Sequence, residues 1–299
     1  MKKIIALALV AIMLAFCFAS CNANSGKVKV IDIKLTDEEY AFAVQKGDAE
    51  LLKSLNDFMD EIRANGKFDE ILDKYFQGGT PTAVKSAATM KTDGSQLIVA
   101  TNAAFEPFEY MIGENYYGVD MEIMALFAEK LGKELYIYNM EFDAVCLSVS
   151  AAGGTYTDAD GNEVTQEGGV CDIAAAGLTV SDTRKEILDF SQSYYQASQM
   201  LIVPEDCKDF DDCKTVADVE TVLKALGKDV KVGVQKGTTG QLYCEGDADW
   251  GFDGYGFETV AYNNGALAVQ DIINGNCSYV IIDEGPAKSI TAKMNEVNG

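Results

Sequence analysis

Three polar features follow predicted buried strands, the position at which α/β proteins bind small ligands. Arg184 falls in the first turn of a helix that Ser181 caps, directly after the apolar segment 172–178. Asp283 ends another apolar strand, where a carboxylate is costly unless it is paired. The segment VGVQKGTTG (232–240) adds a glycine-rich turn, whose backbone N–H groups can face an anion.

These groups suit the two ends of a zwitterion. A guanidinium grips a carboxylate through two hydrogen bonds, and a bound anion would offset the unfavourable position of Arg184 at a helix N-terminus. Asp283 could hold an ammonium group. Two aromatic residues, Phe105 and Phe142, also follow strand ends. Together these residues describe a pocket for a free amino acid.

Each feature also has an ordinary explanation. Arg184 could pair at the surface with Asp182 or Glu186, and Asp283 could be a helix N-cap. The glycine-rich segment could be a plain turn, and both phenylalanines could belong to the core. The residues alone leave these alternatives open.

Composition excludes several functions. The 299 residues carry 24 Lys and Arg against 47 Asp and Glu, a formal charge of −23, and no His. Such a charge argues against nucleic-acid binding, which needs a dense cationic face. The missing His excludes Ser-His-Asp and Cys-His catalysis and His-ligated zinc. We expect no metal, no cofactor and no nucleic-acid partner.

Strands and helices alternate from Gln96 onward, which predicts parallel sheets flanked by helices. Before it, segments 28–33 and 39–44 read as strands, and apolar spacing predicts a helix over 48–66. The polar segment 77–95 predicts a linker. Asp160 and Gly161 predict a hairpin within an inserted segment, whose acidic residues lack the full spacing of a calcium loop.

The amino terminus indicates export. Lys2 and Lys3 precede an apolar run of 16 residues, too short for a membrane span, so we predict a signal peptide over 1–20. The sequence before Cys21 resembles a lipobox, which predicts a lipid anchor on Cys21 and a tether over 21–26. Ordinary cleavage without a lipid is the alternative.

Six further cysteines in an exported chain favour disulfides. Six cysteines allow 15 pairings, and sequence alone does not choose among them. Proximity along the chain suggests Cys146–Cys171, Cys207–Cys213 and Cys244–Cys277. Metal binding is the rival, although no CxxC spacing occurs.

Most of the chain after residue 20 resembles the polar amino-acid solute-binding proteins of ABC importers (extracellular solute-binding proteins, family 3). The motifs that carry the resemblance are TNAAFEPFEY (101–110), GVDMEIMALFAEKLG (118–132), MEFDA (140–144), AAGLTVSDTRKEILDFSQSYY (175–195), VGVQKGTTG (232–240) and YVIIDEGPAK (279–288).

The resemblance implies a two-lobed periplasmic-binding-protein fold of type II, with two hinge strands between the lobes. It implies that Arg184 and the Thr239 amide bind a ligand carboxylate, and that Asp283 binds the ammonium. The other implied ligand contacts are Asn102, Phe105, Phe142, Gly177, Thr179 and Thr238. Asn102 stands where relatives often carry Asp, which weakens the case for lysine or arginine as the ligand.

The order of segments departs from the family, because 30–76 resembles the carboxyl-terminal end of the relatives. The chain therefore looks circularly permuted. Lobe 1 would comprise 37–76 and 96–198, and 199–203 would be a hinge. Lobe 2 would comprise 204–299 and 27–36, so we expect strand 28–33 to join the sheet that holds Gly233 and Asp283. The segment 77–95 would join the old ends, and a swapped dimer is the rival of a monomer.

The expected function is that of an extracytoplasmic, lipid-anchored receptor that delivers an amino acid to an ABC permease. An arogenate or prephenate dehydratase on the same fold is the alternative, with Glu106 or Glu109 as the general acid that such chemistry needs. A ligand-sensing domain is a third possibility. We expect no enzymatic activity.

Overall fold

The computed structural model describes residues 26–158 and 160–298. The predicted signal peptide 1–20, the lipidation site Cys21 and most of the tether lie outside the described residues. Along the described ranges, no helix combines the length and apolarity that a membrane crossing needs.

Sheet A contains Asp283. Its strands are β1 (Val28–Ile31), β14 (Gln199–Pro204), β15 (Lys231–Gln235), β16 (Glu258–Tyr262) and β17 (Tyr279–Asp283), in the spatial order β1-β14-β17-β15-β16. β1 and β14 run antiparallel, as do β14 and β17, whereas β15 runs parallel to both of its neighbours. The prediction that segment 28–33 joins the sheet of Gly233 and Asp283 is therefore confirmed.

Sheet B carries the strands that precede Asn102 and Thr179. It consists of β3 (Ala43–Gln45), β4 (Gln96–Thr101), β8 (Glu134–Asn139), β11 (Ile173–Ala174) and β12 (Leu188–Phe190), in the order β12-β3-β11-β4-β8. All residues of β4 are buried, as expected for a central strand that is covered on both faces.

The chain passes between the sheets through a short antiparallel ladder. β2 (Glu38–Tyr40) lies between β1 of sheet A and β3 of sheet B, and β13 (Tyr195–Ala197) leads from β12 back to β14. The prediction of one strand over 39–44 is wrong. The chain changes partners at residues 41–42, because β2 pairs with β13 whereas β3 pairs with β11 and β12.

Two small sheets complete the strands. β5 (Ala104–Phe105), β6 (Glu109–Ile112) and β7 (Asn115–Tyr117) form one, and the inserted segment folds as β9 (Gly154–Thr157) and β10 (Glu163–Gln166). Glu163 pairs with Thr157 in antiparallel register, so the predicted hairpin is confirmed.

Helices flank both sheets. They are α1 (Ala49–Ala64), α2 (Lys67–Phe76), α3 (Val119–Leu131), α4 (Phe142–Val149), α5 (Asp182–Ile187), α6 (Val216–Ala225), α7 (Thr239–Glu245), α8 (Gly265–Ile273) and α9 (Glu284–Val297). The Asp48 side chain caps α1 by accepting from the Leu51 N–H at 3.0 Å, as the sequence predicts.

One apolar core runs through both sheets. It joins Val28 and Ile282 of sheet A to Val99 of sheet B, with Tyr40 and Phe108 buried in the same cluster. The sheets are therefore packed as one body through the β2–β13 region.

The segment 77–95 lies along the sheet B side. Val84 is buried and exchanges two backbone hydrogen bonds with Tyr116, and the Ala87 N–H donates to the Leu135 carbonyl. Although its composition is that of a linker, this segment is held against the protein by backbone hydrogen bonds and by the buried Val84 side chain.

Both ends of the described chain meet on sheet A. A Cβ at Gly26 would lie 3.6 Å from the Cβ of Asn298. The Asn295 side chain accepts from the Val28 N–H at 2.9 Å and donates to the Val28 carbonyl at 2.8 Å.

All six described cysteines are free thiols, so the three predicted disulfides are wrong for this structure. Cys244 and Cys277 belong to apolar clusters on opposite faces of sheet A. The other two pairs each share a cluster, but Cys171 has a hydrogen-bond partner in Ser148 and Cys207 faces Asp209 at 3.8 Å. Burial raises the pKa of the Cys171 thiol to about 11, which keeps it protonated and unreactive.

Candidate functional site

Arg184 connects the two sheets. Ser181 caps α5 by accepting from the Arg184 N–H at 3.1 Å, which fixes the start of the side chain. Nη1 donates to the Thr179 carbonyl at 2.7 Å beside sheet B, and Nη2 donates to the Gly237 carbonyl at 3.2 Å after β15 of sheet A. The guanidinium lies 5.5 Å from the centre of the Phe142 ring. Three predicted site features therefore meet around this cation.

Further contacts join the carboxyl end of β15 to the sheet B side. Lys236 Nζ lies 3.1 Å from Asp143 Oδ2 and also donates to the Thr157 carbonyl on the inserted hairpin. Gln235 Nε2 donates to Asn102 Oδ1 at 3.4 Å, and Asn102 Nδ2 donates to the Met140 carbonyl at 2.7 Å. Gln235 Oε1 is buried without a partner beside this predicted ligand contact.

A second bridge lies at the surface. Thr183 of α5 donates its hydroxyl to Asp249 Oδ2 at 3.2 Å, in the loop that follows α7. The half-buried Trp250 comes next and stacks on Phe252 with 5.6 Å between the ring centres. This loop therefore contacts the helix that carries Arg184.

Asp283 is buried at the junction of the sheets. Only 3% of it is exposed, and Oδ1 accepts a hydrogen bond of 2.5 Å from the hydroxyl of fully buried Tyr40. Tyr40 lies on the crossing strand β2 and its backbone forms a bridge with Thr179. Thr179 also accepts from Arg184, so the predicted carboxylate clamp and ammonium partner are linked through two residues.

A second buried carboxylate, Glu38, stands beside Asp283. It accepts hydrogen bonds from Thr36 at 2.6 Å, Thr179 at 2.9 Å and Gln199 at 3.0 Å. Gln199 pairs through its backbone with Asp283. Sequence reasoning missed Glu38. The only available signal was the spacing of Glu38 and Tyr40, which share one face of β2 while Glu39 is exposed.

Burial dominates the electrostatics of these acids. Burial first, and the nearby Glu38 second, raise the pKa of Asp283 to about 7 against the opposing hydrogen bonds. Burial likewise raises the pKa of Asp120 to about 7, although Gly177 and Tyr194 donate to its carboxylate. Glu109 is fully buried with no partner on either oxygen, and burial raises its pKa well above the ordinary value.

These acids predict that the ligand-free protein is more stable in mild acid. A carboxyl whose pKa is raised on folding stabilises the fold most below its ordinary value and loses that contribution as pH rises towards 7. We expect the melting temperature at pH 5 to exceed that at pH 8 by at least about 3 °C. Asp120→Asn should reduce the difference, since an amide does not titrate; its oxygen can accept from the Gly177 N–H, and its NH2 group can donate to the Tyr194 oxygen. An equal or higher melting temperature at pH 8 would contradict the assignment.

Phe105 and Phe142 meet different groups, although both were predicted to sandwich a ligand. Phe105 packs with Tyr40 and Phe108 at 6.5 and 6.1 Å between ring centres. Gly177, at φ +52°, makes room for it, because a Cβ there would lie 2.7 Å from the Phe105 ring. Phe142 instead lies against Arg184.

The glycine-rich turn begins α7 within reach of Arg184. Thr238 is the N-cap residue, and its hydroxyl donates to the Gln235 carbonyl at 2.7 Å. Thr239 is buried in the first turn of the helix. The carbonyl of neighbouring Gly237 accepts a hydrogen bond from Arg184. The backbone amides that were predicted to bind an anion therefore lie beside the guanidinium that was predicted to bind the same anion.

Comparisons with known proteins agree with this architecture. The chain is 26% identical over 219 residues to the arginine-binding extracellular protein ArtP of Bacillus subtilis, covering 73% of each protein. It is 26% identical over 199 residues to a probable histidine-binding protein of Neisseria gonorrhoeae, covering 66% of this chain and 62% of that protein.

Solved structures show the same likeness. An ancestral arginine-binding protein bound to arginine superposes with a TM-score of 0.52 at 25% identity, covering 69% of this chain and 76% of the other. The holo form of ArgBP from T. maritima gives 0.51 at 26% identity, covering 67% and 74%. Because the family profile matches residues 97–153 and 155–274, the chain belongs to the bacterial extracellular solute-binding proteins, family 3.

Proposed function

We propose that this protein captures a free amino acid between two lobes outside the cytoplasm and delivers it to an ABC permease. One observation carries the proposal. The Arg184 guanidinium bridges the two sheets, and a chain of contacts through Thr179 and Tyr40 links it to the buried carboxylate of Asp283. A cation and an anion so arranged complement the carboxylate and ammonium of an α-amino acid.

Each end of the ligand has candidate partners. Arg184 would turn from the Gly237 carbonyl to the ligand carboxylate, helped by the Thr239 amide and the Thr238 side of the turn. Asp283 would accept from the ammonium, with the Gly177 carbonyl and the Thr179 hydroxyl nearby. Phe142, Phe105 and Asn102 would border the ligand side chain. Contacts to both lobes would favour the closed arrangement.

A thermal-shift screen with the twenty L-amino acids tests the function. The relatives named above make L-arginine and L-histidine the first to try. A ligand that binds only the folded state at a hundred times its dissociation constant stabilises the protein by about 2.7 kcal/mol. We expect at least one amino acid to raise the melting temperature by several degrees. A flat response to all twenty would refute the proposal.

Lys236 should strengthen ligand binding without contacting the ligand. Its side chain joins the glycine-rich turn after β15 to Asp143 and to the β9–β10 hairpin. A partly exposed ion pair contributes about 0.2 to 1 kcal/mol. We therefore expect Lys236→Ala to weaken amino-acid binding about two- to fivefold, measured by calorimetry. Lys231→Ala is the matched control, because it removes an exposed pair, 3.7 Å from Glu258, at the far end of the same strand. Equal affinities for both variants would contradict this role.

We also propose that the chain is a circular permutant with lobes 37–76 plus 96–198 and 204–299 plus 27–36. The position of β1 in sheet A and the contact between Gly26 and Asn298 support it. A rearranged chain that runs from 77 to 298 and then, through a short glycine link, from 26 to 76 keeps the contacts of Val84 and should fold as a monomer with unchanged ligand affinity. Failure to fold, or a dimer of the natural chain at all dilutions, would favour the swapped dimer.

Lipidation of Cys21 would keep the receptor at the membrane surface after export. Growth with labelled palmitate should label the natural protein, whereas Cys21→Ala should remain unlabelled and be released into the medium. Label on the variant would refute the anchor site.

Catalysis by a dehydratase mechanism has little support in this site. Its candidate general acids are Glu106, which is paired with Lys293, and Glu109, which is sealed in the interior. We expect no product when the protein is incubated with prephenate or arogenate. Turnover of either would establish the enzymatic alternative.

A further inference from the structure

Two buried carboxylates, those of Glu38 and Asp283, lie in the same region between the sheets. Glu38 is 2% exposed and Asp283 is 3% exposed. They face each other through common neighbours: Tyr40, two residues after Glu38 on the same face of β2, donates to Asp283, and Gln199 donates to Glu38 while its backbone pairs with Asp283. The charge of Glu38 is one of the causes that raise the pKa of Asp283, after burial.

Within the described residues, the groups packed around this pair bring no cation into contact with it. Thr36, Thr179 and Gln199 are neutral donors to Glu38. The other titratable neighbours are acids or phenols: the charge of Asp283 helps to raise the pKa of Glu109, and Tyr194 and Tyr195 pack on Tyr40. Two cations lie on neighbouring residues: Arg184 directs its hydrogen bonds to two carbonyls, and Lys34 pairs with Glu284, which follows Asp283.

Two buried carboxylates without a cation do not both remain charged at neutral pH, because their repulsion is not screened by water. Glu38 accepts hydrogen bonds from three neutral donors, whereas burial raises the pKa of Asp283, so we place the shared proton mainly on Asp283, beside the Tyr40 oxygen. The empty pair then carries one negative charge.

We propose that Glu38 and Asp283 act as one proton-sharing pair, which holds a single proton in the empty site and releases it to solvent when the ammonium group of the amino acid binds. This inference rests on the proposed function. The ligand keeps its three ammonium protons and the pair loses its one, so two negative charges and one positive charge replace a single negative charge. The net charge of the buried site is the same before and after binding.

Proton release makes affinity depend on pH. Below the pKa of Asp283, which is raised to about 7, the dissociation constant should fall about tenfold for each unit of pH gained, and it should level off above. At pH 7 about half of the empty molecules hold the proton, so about half a proton should leave per ligand bound.

Titration calorimetry in phosphate and in Tris buffer tests the inference, because the two buffers take up a released proton with different enthalpies. The probe is whichever of the twenty L-amino acids raises the melting temperature most, beginning with L-arginine and L-histidine. For the natural protein we expect different heats in the two buffers at pH 7, with a larger difference at pH 6.

The matched variants are Glu38→Gln and Glu39→Gln, neighbours on one strand of which only Glu38 is buried. Without the charge of Glu38 the pKa of Asp283 should fall, although burial still raises it, so Glu38→Gln should release fewer protons per ligand bound at pH 7 than the natural protein. Glu39→Gln should match the natural protein. If Glu38→Gln does not fold, the pH dependence of the natural protein still decides.

The outcomes separate this inference from the proposed function. Binding with equal heats in both buffers and no pH dependence between 5 and 7 would overturn the proton-sharing pair alone. Unchanged proton release in Glu38→Gln would also overturn it. If no amino acid binds the natural protein at any pH, the proposed function fails and this inference fails with it.

Discussion

Replacing Arg184 by alanine is expected to abolish high-affinity amino-acid binding while leaving the protein folded. The guanidinium is the cation that bridges the Thr179 and Gly237 carbonyls, beside the turn where we propose that the ligand carboxylate binds. Removing one partner of a buried ion pair costs about 3 to 5 kcal/mol. The dissociation constant in calorimetry should therefore rise more than about a hundredfold.

Two variants at this helix separate charge from geometry. Lys185→Ala removes an exposed neighbour that pairs only with Asp182, so its affinity should equal that of the natural protein. Arg184→Lys keeps the charge but loses the two-pronged donor and the flat surface against Phe142, so we expect an intermediate loss. Binding by Arg184→Ala as tight as that of the natural protein would remove Arg184 from the site.

Gly118→Ala is expected to destabilise the fold more than an ordinary surface substitution. Gly118 has φ +123° and precedes α3, where a Cβ would lie 2.0 Å from the carbonyl oxygen of buried Phe108. Backbone strain of about 1 to 3 kcal/mol would add to an overpacking cost of about 1 to 3 kcal/mol. We expect the melting temperature, followed by circular dichroism, to fall by at least about 5 °C.

Gly113→Ala is the control for backbone strain alone. It has φ +62° in the turn between β6 and β7, and nothing lies within 4 Å of the position of its Cβ. The difference between the two variants measures the contact with Phe108. Equal melting temperatures would show that the backbone around Gly118 and Phe108 can shift to accommodate the added methyl group without loss of stability.

Local patterns were sufficient for the framework. The all-apolar strand before Asp283 and the alternation of strands and helices identified an α/β protein, because such strands are covered on both faces. The prediction of parallel sheets was only partly right, because β14 and β3 pair antiparallel with their neighbours and make both sheets mixed. The placement of segment 28–33 in sheet A followed from the resemblance to the family rather than from its residues. The meeting of Arg184 with the glycine-rich turn followed from the resemblance to the family, because these two features lie at strand ends of different sheets.

The features that could not be predicted from the sequence depend on contacts between residues far apart along the chain. The partners of buried Glu38 are Thr179 and Gln199, which lie 141 and 161 positions away along the chain. The hydrophobic pattern of the residues around Glu38 does not indicate such partners. The break between β2 and β3 depends on two different partner strands, although the residues form one continuous run. The cysteines were paired by distance along the chain, whereas the two faces of sheet A separate Cys244 from Cys277.

The loop that holds Asp249 against Thr183 gives the protein an intrinsic optical probe. Trp250 is the single tryptophan of the chain and adjoins that contact. Indole emission responds to polarity, so any opening that separates Thr183 from Asp249 should change the colour and intensity of the fluorescence. Domain motion could then be timed in a stopped-flow instrument on the unlabelled natural protein.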